Sequence, residues 1–497
     1  MAFVKINPER PIGTVDRRIL SGFTEHLGRC IYSGIFDEGS PLADERGFRK
    51  DVVEAVRALR PPVLRWPGGN FASGYHWTDG IGPADSRPRR MELAWRGVEP
   101  NRFGTDEFMA FCEAVGAEPY LCLNMGTGTI DEAQAWLEYC NGTTDTEWVR
   151  RRRDNGHPEP YKVKYWGLGN EMYGDWQIGQ LSAEDYVKEA RQLAKVLKLT
   201  DPGIELVSCG ESGLSDWDAT VIDGLAPYVQ WHSIHIYTGD DDYWTNVLAP
   251  HQTERALRVA RSLIEKARYK HQVRHPIHVA YDEWNVWFRD MDGAAGLEEQ
   301  YNLGDALAVA TYLHAFIRHA DTVKMANLAQ LVNVIAPIVT SPDGLFLQSI
   351  YHPLRLFADH LGETALDIAV ECDVHDFVPA AKAGPWPNRF ADLGPFPVLD
   401  AVATWSQAEG KLMLSVINRS PDTDVTARVS LGDSVQGSRV LVQELNAAGW
   451  DTTNSFERPD AVSVAETTMD NPGGSWQHRF PAHSLTVFTV QAETVRG

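Results

Sequence analysis

Between residues 18 and 330 the chain alternates two textures. Short continuous apolar runs give way to longer stretches whose apolar positions recur every three or four residues. The runs are "RILSGFTEH", "PPVLRWPGG", "EPYLCLNMG", "KVKYWGLGNE", "IELVSCGES", "WHSIHIY", "IHVAYDEW" and "TVKMANLAQL". Continuous rather than alternating apolar character fits strands covered on both faces, as in a parallel sheet. Between the runs, Phe108, Phe111, Cys112 and Val115 fall at i, i+3, i+4 and i+7, one face of a helix. Ser182 followed by Asp185 resembles a capping box opening "AEDYVKEARQLAKVLKL", with Pro202 beyond its end. "TERALRVARSLIEKARYK" and "LGDALAVATYLHAFIRHA" are long and amphipathic. Eight strand–helix units predict an α/β fold, a (β/α)8 TIM barrel over residues 15–365. The alternative is an open doubly wound sheet. No Gly-x-Gly-x-x-Gly opens a first helix, which weakens its dinucleotide-binding form.

After residue 365 helical periodicity disappears. "AVATWSQAEGKLMLSVIN" reads as two strands around a Glu409-Gly410 turn, and "DVTARVSLG" alternates Val425, Ala427, Val429 and Leu431 on one face. "SRVLVQEL" and "HSLTVFTVQ" add further strands. Residues 366–497 are expected to form an all-β sandwich, jelly-roll-like, which residues 1–14 join through the strand "FVKIN". The proline-rich "VPAAKAGPWPNRFADLGPFP" reads as a loop within or entering it.

Composition narrows the partners. With 497 residues, 43% of them hydrophobic, the chain can bury a large core and a second domain. A formal net charge of -22 repels phosphate backbones and anionic membranes, so neither nucleic acid nor membrane is an expected partner. A neutral or weakly charged substrate fits better. The six cysteines form no Cys-x-x-Cys pair and several sit in apolar runs, as buried thiols of a reducing compartment would. The start "MAFVKINPERPIG" shows no signal-peptide pattern, and a cytoplasmic location is expected.

In a barrel of this kind chemistry gathers at the C-terminal ends of the strands. Those ends carry Glu25 and His26, then Arg65 with Gly68-Gly69-Asn70, then Asn124, then Asn170 and Glu171. Later ones carry His235 and Tyr237, Asp282 and Glu283, and Asn327 and Gln330. Two glutamates on the fourth and seventh strands can face each other across the pocket. That pairing suits glycoside hydrolysis, in which one carboxyl protonates the leaving oxygen while the other attacks or activates water. Other readings compete. Glu171 could sit on a helix dipole, Glu283 could be a structural partner of Arg65, and His235 and Tyr237 could be core packing. Metal binding is not expected: His232 and His235 point to opposite faces of a strand, and no His-Glu-x-x-His occurs. No other cofactor is expected, and no Gly-x-Ser-x-Gly marks a serine nucleophile.

"GFTEHLGRCIYSGIF", "LRWPGGNFASGYHW", "NRFGTDEF", "GLGNE", "DEWNVW" and "LAQLVNVIAPI" together resemble glycoside hydrolase family 51, the α-L-arabinofuranosidases. The Asn-Glu pair alone marks only the wider clan of retaining barrel hydrolases. The resemblance implies Glu171 as acid/base and Glu283 as nucleophile. It implies Glu25, Asn70, Asn170 and Gln330 as ligands of the furanose hydroxyls, His235 as a pocket wall, and Arg65 and Tyr237 against the nucleophile. It further implies an exo-acting, retaining enzyme on arabinose-containing oligo- or polysaccharides, and a homo-oligomer, trimer or hexamer. A β-xylosidase or endoglucanase on the same scaffold is the alternative, and a silent carbohydrate-binding protein the contrasting class. Three finer expectations follow. Proximity of two carboxylates raises the pKa of Glu171. Glycines 167, 169 and 174 leave room for sugar. Tyr243 and Trp244, in "TGDDDYWTNV", and the Gly/Ala-bearing loop "FRDMDGAAGLEEQYN" frame the leaving-group side.

Overall fold

The computed structural model describes residues 2–291, 293, 296–379, 384–432 and 435–494. Eight parallel strands close into a barrel in chain order. They are Ser21–Phe23, Val63–Trp66, Glu118–Cys122, Tyr165–Leu168, Glu205–Ser208, Trp231–Thr238, His278–Val286 and Val323–Ala329, referred to below as the first to eighth barrel strands. Each begins in one of the eight apolar runs, and the sixth and seventh continue past theirs to Thr238 and Val286. Helices follow them on the outside. Phe108, Phe111, Cys112 and Val115 are buried in the helix Thr105–Val115, and Ser182 caps Ala183–Thr200 by accepting from the Asp185 amide at 3.2 Å. Val63, Tyr120, Tyr165, Val207, Trp231, Ala280 and Met325, one from each of strands two to eight, form a cluster apart from the strand–helix core. They fill the barrel interior and floor the site above it.

The β-region is one nine-stranded sheet. Its first strand in the chain, Ala2–Thr14, runs antiparallel to Thr364–Glu371 and parallel to Val425–Ser430. The Glu409-Gly410 turn joins Leu399–Ser406 to Lys411–Asn418, with Gly410 at φ 61°. Val4, Ile6, Leu399, Leu414, Val429, Val440, Phe480 and Phe488 come from strands all across the sheet yet share one core, because the sheet curls around it. The helix Leu303–Arg318 is buried along almost its whole length between barrel and sheet.

Of the proline-rich segment, residues 380–383 lie outside the described residues, as do 292, 294 and 295 of the loop after the seventh strand. The six cysteines are free. Among the described residues no helix is long and apolar enough to cross a membrane.

Candidate active site

The fourth strand ends at Leu168, and the chain then turns sharply. Gly169 takes φ 82° and Glu171 φ 43°, a left-handed backbone that non-glycine residues adopt at a cost of about 1–3 kcal/mol. The turn carries Asn170 and Glu171 onto the barrel mouth. The nearby glycines make room for protein, not for sugar as expected. A Cβ at Gly167 would meet the Tyr120 hydroxyl at 3.0 Å, and one at Gly174 would strike the Trp176 indole at 2.5 Å. The glycine that opens the pocket is Gly69, where a Cβ would lie 3.2 Å from both Glu25 Oε2 and Glu283 Oε1.

Glu171 and Glu283 sit in one hydrogen-bonded network. Glu171 Oε1 faces His235 Nδ1 at 3.0 Å and accepts from the Tyr173 hydroxyl at 3.2 Å, while Trp176 Nε1 donates to Oε2 at 2.8 Å. Glu283 accepts from Arg65 Nη1 at 2.6 Å and from the Tyr237 hydroxyl at 2.8 Å. His235 and Tyr237 reach the same pocket because alternate strand residues share a face. Arg65 Nη2 also donates to Asn170 Oδ1 at 2.5 Å, while the buried Asn170 Nδ2 has no hydrogen-bond partner among the described residues. Asp282 lies beneath, accepting from Tyr120 at 2.7 Å and Ser233 at 2.5 Å, with His235 Nε2 at 3.3 Å. One ligand atom each of Glu171, His235 and Glu283 falls within 4.8 Å of the others. A metal ion there would face Arg65 at 2.6 Å from Glu283, and the site is built around that cation instead.

The far end is closed by Glu25. Its Oε1 accepts from the Phe71 amide and from Trp95 Nε1, both at 3.0 Å, and Gln330 Nε2 donates to Oε2 at 3.3 Å. Gln330 Oε1 in turn accepts from the Glu25 amide at 2.9 Å. A cavity of about 470 Å³ lies over these groups, lined also by Asn70, Trp176, Trp287 and Trp386. That is a usual size for a small-molecule site.

Burial pushes the Glu25 carboxyl up to about 7, aided by the Glu283 charge and opposed by the Phe71 and Trp95 hydrogen bonds. His235 moves up to about 10: burial disfavours its charge, but Glu283, Asp282 and Glu171 around it prevail. Glu171 moves below its ordinary value. Burial opposes this shift, and the hydrogen bond and charge of His235, with Trp176 and Tyr173, outweigh it. The expected raised pKa of Glu171 is thus reversed in the free site, because a protonated histidine lies between the two glutamates. The carboxylates around His235 thus favour its protonated form, and that charge favours the ionised form of Glu171 beside it.

The nine residues to which the resemblance gives roles, Glu25, Arg65, Asn70, Asn170, Glu171, His235, Tyr237, Glu283 and Gln330, converge on this site. Others from those ends do not. His26 pairs with Glu99 at 2.9 Å, Asn124 holds a turn through the amides of Gly126, Thr127 and Gly128, and Asn327 donates to the Gly22 carbonyl. His232 is tied to Asp218 at 2.9 Å. Tyr243 and Trp244 do not frame the cavity. The Tyr243 hydroxyl donates to the Arg419 carbonyl, and Trp244 stacks on His375 at 3.8 Å, so both join barrel to sheet. The tryptophans that do line the cavity, Trp95, Trp176, Trp287 and Trp386, come from loops without periodicity. Only the short distance of Trp176 and Trp287 from the Asn-Glu and Asp-Glu pairs could have marked them.

The chain matches two family models, "Alpha-L-arabinofuranosidase 1 domain" over residues 55–255 and "Alpha-L-arabinofuranosidase C-terminal domain" over residues 282–484. It is 44% identical over 506 residues to α-L-arabinofuranosidase C of Emericella nidulans, covering 98% of this chain and 97% of that one. It is 44% identical over 448 residues to an intracellular exo-α-(1->5)-L-arabinofuranosidase of Halalkalibacterium halodurans, covering 86% and 87%. The crystal structure of α-L-arabinofuranosidase from Thermotoga maritima, an arabinose complex, superposes with a TM-score of 0.89 at 39% identity, over 100% of both chains. With this barrel, this pair of glutamates and these relatives, the chain belongs to glycoside hydrolase family 51, the α-L-arabinofuranosidases.

Proposed function

We propose that the protein is a retaining, exo-acting α-L-arabinofuranosidase that releases terminal L-arabinofuranosyl residues from arabinose-containing oligosaccharides or polysaccharides. The observation that carries this reading is the closeness of Glu171 and Glu283, with oxygens within 4.8 Å. Retaining glycosidases hold their carboxyl groups about 5–5.5 Å apart, whereas inverting enzymes leave room for a water between them. The exo mode is supported by the closed end that Glu25, Gln330 and Trp95 make.

Glu283, held by Arg65 and Tyr237, attacks the anomeric carbon and becomes a glycosyl ester. Glu171 gives a proton to the departing oxygen, then takes one from the water that cleaves the ester. The proton it needs is the one it shares with His235 across 3.0 Å. Asn170 Nδ2, the buried donor without a partner, fits the sugar 2-hydroxyl, a contact that strengthens in the transition state. Glu25, Asn70 and Gln330 take the remaining hydroxyls. A cytoplasmic location, supported by the bacterial relative described as intracellular, would make short imported oligosaccharides the natural substrates. A homo-oligomer is part of the same proposal, and sedimentation would test it.

The deciding experiment is turnover of an aryl α-L-arabinofuranoside, with the aryl β-D-xyloside beside it, reading the first-formed anomer by proton NMR. The expected product is α-configured arabinose. In Glu171→Ala, added azide is expected to restore turnover and give an azide of retained configuration. An inverted first product would refute retention, and turnover of the xyloside alone would move the activity to that sugar.

A further inference from the structure

The proline-rich segment of the β-region returns to the barrel mouth. Phe390 and Phe396 are buried against Leu248 and Ala249. Arg255 donates to the Arg389 carbonyl at 3.2 Å and to Asp392 at 2.7 Å. These anchors lie on the helix Gln252–Lys270, the turn Ala249–His251 before it and the end of the helix Tyr243–Leu248. They set Trp386 over the cavity, where its Nε1 donates to the Trp287 carbonyl at 2.5 Å. Its ring lies 5.8 Å from that of Tyr237, nearly parallel at 20°, and 5.6 Å from that of Trp287. Tyr237 is the residue that donates to Glu283. Trp386 is half-buried and the adjoining Pro387 is exposed, whereas Glu25 and Gln330, which line the same cavity, are buried.

We propose that Trp386 is a specificity-determining residue: it forms the wall of the leaving-group subsite and takes a sugar ring by stacking. This rests on the exo-acting reading above. In a pocket closed at one end the terminal arabinose fills the bottom, so whatever lies beyond the scissile bond is at the mouth. An indole fixed by a main-chain hydrogen bond and stapled to the barrel loses little freedom on binding, and its flat face matches the C–H face of a sugar. The β-region thereby selects glycosides whose leaving group is itself a sugar over those of small alcohols.

The test compares kcat/KM on α-1,5-linked arabinotriose with kcat/KM on methyl α-L-arabinofuranoside, which has no ring in its leaving group. Trp386→Ala is expected to lower the ratio of the two by about tenfold, mostly through KM for the triose, since aromatic stacking is worth up to about 1.5 kcal/mol. Trp386→Phe is expected to regain most of the ratio. Trp386→Leu, with the same expected drop, replaces the alanine variant if that does not fold. An unchanged ratio overturns the inference alone, whether both rates fall together through loss of support for Tyr237 or neither falls. A wild type inactive on both arabinosides overturns the exo-arabinofuranosidase reading and this inference with it.

Discussion

Two buried clusters of this molecule are built from the same parts. At the barrel mouth His235 sits among Glu171, Asp282 and Glu283 with Arg65 beside them. At the junction of barrel and sheet, His314 Nδ1 faces Asp400 at 2.9 Å and its Nε2 faces the Ser415 hydroxyl at 2.8 Å. Arg318 and Arg419 both lie 3.0 Å from Asp400. By residue type the second cluster is a serine–histidine–aspartate arrangement, the more familiar hydrolytic set. It is nonetheless structural, because His314 and Ser415 are 0% exposed and no substrate can reach the hydroxyl. The mouth cluster opens on a cavity and keeps a buried amide nitrogen unpaired. Access, not unfinished hydrogen bonding, separates the two clusters, since Arg419 Nε at the junction is also buried without a hydrogen-bond partner among the described residues.

The largest effect that sharpens this contrast is loss of the proposed nucleophile. Glu283→Gln is expected to lower kcat on an aryl arabinofuranoside by about 10⁴-fold or more, whereas Ser415→Ala should stay close to wild type. Steady-state rates on folded protein check both. A Ser415→Ala enzyme without activity would mean that the junction takes part in chemistry. Next is Glu171→Gln, which removes the proposed proton transfer and should cost about 10²–10⁴-fold with little change in melting temperature. Asp400→Ala is the opposite kind of variant. It leaves Arg419 without its carboxylate and Arg318 with Glu254 alone, and is expected to cost about 3–5 kcal/mol of stability, read by denaturant unfolding, while the folded fraction keeps its kcat.

The same contrast explains what the sequence made legible. The eight strands were readable because burial on both faces writes continuous apolar runs, and the strand ends then located Glu25, Arg65, Asn170, Glu171, Glu283 and Gln330. Contacts that depend on where a loop folds were not. Trp244 and Trp386 look alike as loop tryptophans, yet one stacks on His375 at the junction and the other reaches the cavity from the sheet. Gly167 and Gly174 looked like pocket glycines because they flank Glu171, but the groups they accommodate are Tyr120, distant in sequence, and the Trp176 ring folded back over the turn. The reversal at Glu171 has the same origin. Two carboxylates alone would raise each other, and the sequence does not reveal that His235 lies between them.

The smallest effects come from titration, and there the two histidines must behave oppositely. His235 is pushed up to about 10 by the carboxylates around it. Its folded value exceeds the unfolded one near 6.5, so the folded state binds the extra proton between those values. That stabilisation is complete below about 6.5 and lost as pH rises through about 10. Glu25, raised to about 7, adds a loss on the same side, as pH rises from its unfolded value through 7. His314 is shifted down, because burial outweighs the pull of Asp400. There the unfolded state binds the extra proton, and stability is lost as pH falls below about 6.5. Asp400, held well below the carboxylate range against its burial by Arg318, Arg419 and His314, extends the acid-side loss below its unfolded value. His235→Gln should therefore flatten the alkaline limb of melting temperature against pH, and His314→Gln the acid limb near pH 6. Imidazole NMR gives the sharper reading: a His235 ring still protonated at pH 8 beside a neutral His314. A His235 that titrates near 6.5 would remove the proton from the His235–Glu171 pair at neutral pH, and with it the source proposed for the acid step.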